Sequence, residues 1–291
     1  MKLTHGYYHL IAILTVAIWR LTFIATKVLI NHGLTPQEIF FYRFLIAYIG
    51  IWAISPKHLF ADNLKDELWL VAGGVFGGSL YFFTENTALG ITQASNVAFI
   101  ICTAPLLTTI LSLLFYKSEK ATKGLIYGSL LALIGVGLVV FNGSVVLKLS
   151  PVGDLLTLLA ALSWAFYSLV IKRMTGRYPT VFITRKIFFY GVLTILPAFL
   201  LHPLQPDFDV LLQPLVLSNL LFLAVLASLI CYILWNVVLK QLGTMRASNY
   251  IYLNPLVTMV ASVLILHEQI TWITLMGAAC IILGVYLAEK K

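Results

Sequence analysis

Glu85 is the one acid that falls inside a long apolar stretch of this 291-residue chain away from the stretch's first turn, with Thr84 and Asn86 beside it and Tyr81 one helical turn earlier. A carboxylate at such a place costs a few kcal/mol unless it is paired, protonated or wetted. Its chemistry would be to carry a coupling proton or to hold a substrate amine; a structural hydrogen-bonded acid, or one close enough to the interface to be solvated, is the competing reading. Arg20 raises the same question with the opposite sign, since an arginine at the centre of a membrane span costs about 2.5 to 3.5 kcal/mol on insertion scales. Glu85 or an anionic group of a substrate is its natural partner. Trp19 and Trp164 stand about ten residues from the ends of their stretches. There they offer apolar area and a π face to a substrate ammonium; anchoring at the membrane interface, the commoner role of a membrane Trp, is the competing reading. Asn86 and Asn236 are candidates for substrate contact or for interhelical glue. Asn96 and Thr103, and likewise Asn249 and Tyr252, share one helix face each at helical spacing.

Other chemistries find no residues. The six histidines, at 5, 9, 32, 58, 202 and 267, form no His-Glu-x-x-His pattern, and Cys102, Cys231 and Cys280 have no metal-ligand spacing. A Gly-x-x-x-x-Gly-Lys-Ser/Thr loop is missing, so ATP does not drive the protein directly. The sequence therefore calls for no metal and no cofactor.

The elements that must hold these residues follow from composition. Hydrophobic residues make up 60% of the chain and charged residues 10%, against roughly 25% charged in a soluble domain. The solvent is largely lipid. Apolar runs near the 20 residues that an α-helix needs to cross the hydrocarbon recur at 9–30, 36–54, 68–89, 94–116, 124–142, 153–171, 180–201, 216–239, 247–266 and 272–288. Turn chemistry separates them: Gly33 to Pro36, Ser55-Pro56, Asn142-Gly143, Ser150-Pro151, Tyr178-Pro179 and Pro203 to Pro214. The first run leads straight into the second with no cleavage site, which predicts a retained helix. With ten spans, thirteen of the 19 Lys and Arg fall on the side holding both termini, two on the other, and Arg20, Arg43, Arg185 and Lys186 inside spans. That asymmetry predicts cytoplasmic termini in a cytoplasmic (inner) membrane and removes nucleic acid as a partner for the net charge of +8.

An internal repeat divides the chain. Trp19 precedes Lys27 as Trp164 precedes Lys172; Arg43 answers Arg185; Asn86 precedes Pro105 at the spacing of Asn236 and Pro255. Ala94-Ser95-Asn96 resembles Ala247-Ser248-Asn249, displaced by three residues. Glu119 is followed by Gly128 and Gly135-Val136 as Glu268 is followed by Gly277 and Gly284-Val285. The spacing predicts two units, 1–145 and 151–291, each of five spans. Because five is odd, the copies must lie inverted about an axis in the membrane plane, the arrangement that lets a carrier alternate between two openings. Glu119 and Glu268 are expected to cap the helices that follow them. Gly73, Gly74, Gly77, Gly78, Gly124, Gly128 and Gly135 are expected to bring helices close, within the chain or across a dimer contact.

This doubled pattern resembles the EamA-type family of the drug/metabolite transporter superfamily: a Trp in the first span, an Arg in the second, an Asn/Ala/Ser-rich junction of the third and fourth, a Pro in the fourth, and a Glu before a Gly-rich fifth. The resemblance covers nearly the whole chain. It implies an all-α integral membrane protein of ten transmembrane helices in two inverted five-helix repeats. It also implies a central cavity and the export or exchange of small metabolites, often amino acids. Arg20 departs from it, since the family ordinarily has a small residue, usually Gly, after this Trp, and the repeat counterpart here is Ala165. The expectation is a secondary transporter of amino acids or related amines, monomer or homodimer, with a proton as the candidate coupling ion. A channel and an integral-membrane enzyme are the alternatives.

Overall fold

Helices α1 (Leu3–Asn31) and α2 (Pro36–Ile54) open the chain. The computed structural model describes residues 3–55, 59–116, 120–141, 150–200, 203–257, 259–260 and 271–289, and among these it contains no β-strand. Helix α3 spans 64–91, α4 spans 94–115, α5 is Lys123–Phe141, α6 is Pro151–Met174 and α7 is Thr180–Ile195 with a 3-10 turn, Leu196–Leu200. Helix α8 is Pro214–Leu242, α9 begins at Thr244–Ser248, and α10 is Trp272–Glu289. Eight helical stretches among the described residues are long and apolar enough to cross a membrane. Helix α3 is long enough to join them but more polar, since it carries Ser79, Thr84, Glu85 and Asn86. The second part of the expected ninth span, 261–266, lies outside the described residues, as do Glu119, Glu268 and the expected boundary at 145.

Local chemistry sets the helix ends. Gly33, at φ 92°, turns the chain out of α1. Thr35 then caps α2 in a reciprocal box with Glu38, ahead of Pro36 in the first turn. Asn63 accepts the Asp66 amide at the start of α3, and Gly243, at φ 84°, ends α8. Large apolar side chains such as Leu10, Ile24, Ile49, Leu114, Ile134 and Ile282 remain exposed on the outside of the bundle. In water such a surface would aggregate; in lipid it is the solvated face.

Helices of the first half pack chiefly on helices of the second, in a pattern that exchanging the halves leaves unchanged. Helix α3 lies on α6 as α8 lies on α1, α3 meets α7 as α8 meets α2, and α5 lies along α10. Irregularities match as well. A π-helical stretch interrupts α3 at Val75–Ser79 and α8 at Phe222–Ile230. Helix α4 breaks between Ile101 and Ala104, just before Pro105, and α9 passes through a 3-10 stretch, Asn249–Leu253, just before Pro255. Between α5 and α10 the glycines interlock: a Cβ on Gly135 would stand 2.6 Å from the Gly277 carbonyl oxygen, and one on Gly128 would stand 2.4 Å from that of Gly284. Gly128 and Gly135 of α5 thus serve a contact within the chain, with α10.

Candidate functional site

Trp19 of α1 and Trp164 of α6 meet edge to face between the halves, with ring centroids 5.2 Å apart. Trp235 packs on the Trp19 ring at 5.2 Å, and Tyr81 packs on the Trp164 ring at 5.1 Å. Beside them opens a cavity with some 600 Å³ of empty volume, mouth included. Aromatic and apolar walls come from Trp19, Trp164, Phe82, Tyr232 and Ile101, and the charged groups among its described lining are Arg20, Arg43 and Glu85. Arg43 and Glu85 are buried, at 1% and 4% exposure, although both are ionisable side chains on lipid-embedded helices.

The irregular backbone helps to build this site. A π-helical turn leaves carbonyls without their usual helical donors, and here side chains from the opposite half take them up. Trp19 Nε1 donates to the Ala227 carbonyl at 2.8 Å, Tyr232 Oη to the Gly77 carbonyl at 2.6 Å, and Ser163 Oγ to the Phe76 carbonyl at 2.8 Å. The side chains that shape the cavity are thereby oriented by the other repeat's backbone. Tyr81 Oη donates to Glu85 Oε1 at 2.6 Å, the pairing that their one-turn spacing predicts. Glu85 also lies within electrostatic reach of both guanidinium groups, Arg43 more strongly than Arg20. Arg43 is held by its Nε bond to Ser228 Oγ, 2.9 Å, and stacks over Phe82 at 4.3 Å. Arg20 stacks over Phe23 at 4.9 Å.

Five of the ten residues singled out in the sequence come together here: Trp19, Arg20, Tyr81, Glu85 and Trp164. Asn86, Asn96, Asn236, Asn249 and Tyr252 are not among the lining residues. Asn236 bridges helices instead, accepting from Tyr167 Oη at 2.6 Å and donating to Thr184 Oγ1 at 2.8 Å. Asn86 donates to the Pro36 carbonyl, and Asn249 accepts from Ser129 Oγ at 2.8 Å. Asn96 and Tyr252 are buried. Sequence reasoning passed over Arg43 and Tyr232. Arg43 carried a signal, because the insertion cost that marks Arg20 applies to any arginine within a span; Tyr232 carried none.

The model of the EamA-like transporter family matches residues 6–141 and again 151–289. The chain belongs to this family. Among relatives of this EamA-like transporter is an uncharacterized transporter of Archaeoglobus fulgidus, 28% identical over 97% of each chain. A probable amino-acid metabolite efflux pump of Salmonella typhimurium is 27% identical over 95% of this chain and 93% of its own, and one of Escherichia coli is 24% identical over the same shares. A solved crystal structure superposes with a TM-score of 0.71 over 97% of this chain and 96% of the other, at 19% identity, which establishes the shared fold. The protein is a multi-pass membrane transporter, and its partners are the bilayer and a small-molecule substrate.

In this EamA-like transporter the cavity lining includes Thr22 and Phe23 from the second half of α1, Arg43 from the first half of α2 and Glu85 from the last quarter of α3, the parts of these helices nearer the α1–α2 turn. At the opposite end ionic bonds join the halves. Arg177 pairs with both oxygens of Asp66 at 2.9 Å, and Tyr178 Oη donates to the same carboxylate at 3.1 Å. Lys186 pairs with Glu67 and donates to the Leu59 carbonyl at 3.0 Å, and Tyr190 Oη also bonds Glu67. Arg185 donates to the Ser55 carbonyl. Asp66 and Glu67 precede the apolar part of α3. Burial alone would raise both carboxyls, but the bonds from Arg177, Asn63 and Tyr178, and from Lys186, Tyr190 and the Ala61 amide, outweigh it and hold both below the usual carboxylate range.

Proposed function

We propose that the protein is a secondary carrier that exports amino acids or related small metabolites by alternating access, with both termini in the cytoplasm of a cell bounded by this membrane. One observation carries the reading. A cavity walled by both halves, with Trp19 and Trp164 in contact across it, sits toward one membrane face while inter-half ion pairs close the other. Near-symmetric halves give two arrangements of similar energy, one open to each side. On the charge asymmetry of the loops, the closed end is the cytoplasmic one, so the cavity faces the side to which an exporter releases.

Within this reading Trp19, Trp164 and Tyr81 cradle the apolar body of the solute, and Arg20 and Glu85 meet its polar groups. Asn86, Asn96, Asn236, Asn249 and Tyr252 support the helices around the site. Glu85, buried and held by Tyr81, is the group whose protonation would couple transport to a pH gradient. The relatives' names as amino-acid metabolite efflux pumps support the substrate class. Uptake of an amino-acid and amine panel into proteoliposomes, with and without a pH gradient, tests it. The gradient should accelerate transport by the native protein and not by Glu85→Gln. Equal rates with and without the gradient would remove Glu85 from coupling, and no uptake of any member would count against the carrier.

A further inference from the structure

One indole of the matched tryptophan pair is bonded and the other is not. Trp19 Nε1 donates to the Ala227 carbonyl, in the π stretch of α8, at 2.8 Å. Trp164, only 5% exposed, has no acceptor for its Nε1–H among the described residues. A buried donor without a partner is costly and calls for an explanation. The repeat supplies one. Asn86 and Asn236 lie 150 residues apart, as do Pro105 and Pro255, and at this register Ala227 answers Gly77, in the π stretch of α3. The bond that mirrors Trp19 to Ala227 is therefore Trp164 to the Gly77 carbonyl. In the structure that oxygen accepts instead from Tyr232 Oη, at 2.6 Å. Tyr232 answers Phe82 at the same register, and Phe82 has no hydroxyl to compete for Ala227.

Trp164 is well placed for this acceptor. Ser163, its chain neighbour, donates to the adjacent Phe76 carbonyl at 2.8 Å. Tyr167, one turn further along α6, lies so close to Gly77 that a Cβ there would stand 2.2 Å from the ring. The Tyr232 ring centroid is 6.1 Å from that of Trp164. Resting on the carrier reading above, we infer that Trp164 and Tyr232 are gating residues that exchange on the Gly77 carbonyl. Tyr232 holds it in the arrangement described here. When the halves trade conformations and the cavity opens to the cytoplasm, the Trp164 N–H takes it and the Trp19 N–H gives up Ala227. One indole bond is made for each one broken, so on this account neither arrangement is favoured. The Tyr232 hydroxyl, without a counterpart in the other half, biases the pair toward the present arrangement.

The Asp62 amide, which donates to Tyr178 Oη across the closed end at 3.0 Å, loses that bond when the end opens and so reports which arrangement is populated. Hydrogen exchange over 59–67 in the purified full chain, each variant against the native protein at one pH, reads it. Tyr232→Phe keeps the ring and drops only the hydroxyl; it should lower protection about fivefold, the shift in population expected of one hydrogen bond. Trp19→Phe should lower protection as well, and Trp164→Phe should raise it by a similar factor. Both tryptophan variants trim the same ring, so lost packing moves them alike and a difference in sign isolates the N–H. Where an indole variant fails to fold, Tyr232→Phe carries the test. Shifts of one sign for Trp19→Phe and Trp164→Phe, or protection unmoved by Tyr232→Phe, overturn the exchange. Counterflow of phenylalanine, a member of the amino-acid panel, separates this outcome from failure of the carrier. Counterflow by the native protein beside shifts of one sign discards the exchange and leaves the carrier standing. Opposite shifts in a protein that transports no member of the panel keep the exchange and count against the carrier.

Discussion

Gly135→Ala should loosen the α5–α10 seam, and its size follows from the geometry. The added Cβ would meet the Gly277 carbonyl oxygen at 2.6 Å, the Ile281 amide nitrogen at 2.8 Å and Cys280 Cβ at 2.9 Å. Two of the three are helix backbone, which no rotamer change can withdraw, so the helices must part by on the order of 1 Å to reach ordinary contact. Overpacking of this kind costs about 1 to 3 kcal/mol. Replacing a helical glycine by alanine returns about 0.5 to 1 kcal/mol of backbone entropy, so the net loss is about 0 to 2.5 kcal/mol. Gly137 supplies the control on the same helix, because its Cβ would touch only Phe99 Cε2, at 3.5 Å. Gly137→Ala should be neutral or gain up to about 1 kcal/mol. Thermal melts of the two variants in one detergent give the comparison, with Gly135→Ala melting lower than both the native protein and Gly137→Ala. Equal midpoints for the two variants would refute the close approach of α5 and α10.

Two further substitutions separate neighbouring effects. Trp19→Phe and Trp164→Phe both trim a packed indole and lose contact area, but only Trp19→Phe also leaves the Ala227 carbonyl without its 2.8 Å donor, so it should cost about 1 kcal/mol more than Trp164→Phe; equal melting losses would show that the bond adds nothing. Asp66→Asn should raise backbone hydrogen exchange over 59–67 and at the α6–α7 junction, and unchanged exchange would remove this carboxylate from the closure. Because its folded pKa lies below the unfolded one, the contribution of Asp66 is complete above the unfolded value and is lost only as pH falls through the folded value. The protection of this region in the native protein, that is, exchange divided by its intrinsic base-catalysed rate at each pH, should therefore stay flat between pH 5 and 8.

Periodicity and repetition made most of the bundle legible. Matched residues such as Trp19 and Trp164 do meet across the halves, and the repeated glycines after Glu119 and Glu268 lock α5 to α10. Polar side chains inside spans were easy to notice and harder to assign, since an asparagine that bonds two helices and one that faces a cavity look alike in a sequence; Asn236 proved to bridge Tyr167 and Thr184. The π stretches in α3 and α8 contain no proline and gave no local sign. They arise where the halves press together, and so the donors that answer their carbonyls, Tyr232 among them, were out of reach of a one-dimensional reading. Lys186, which falls within a predicted span, turned out to reach the 59–67 segment and help close one face.

Solute counterflow in proteoliposomes tests the central claim most directly. A carrier with one alternating cavity must be accelerated by substrate on the far side, because a loaded return is faster than an empty one. Preloading with unlabelled phenylalanine should therefore raise the initial uptake of labelled phenylalanine and drive a transient accumulation above equilibrium. Uptake that rises linearly with concentration and is indifferent to preloading would contradict alternating access and point to a continuous pore.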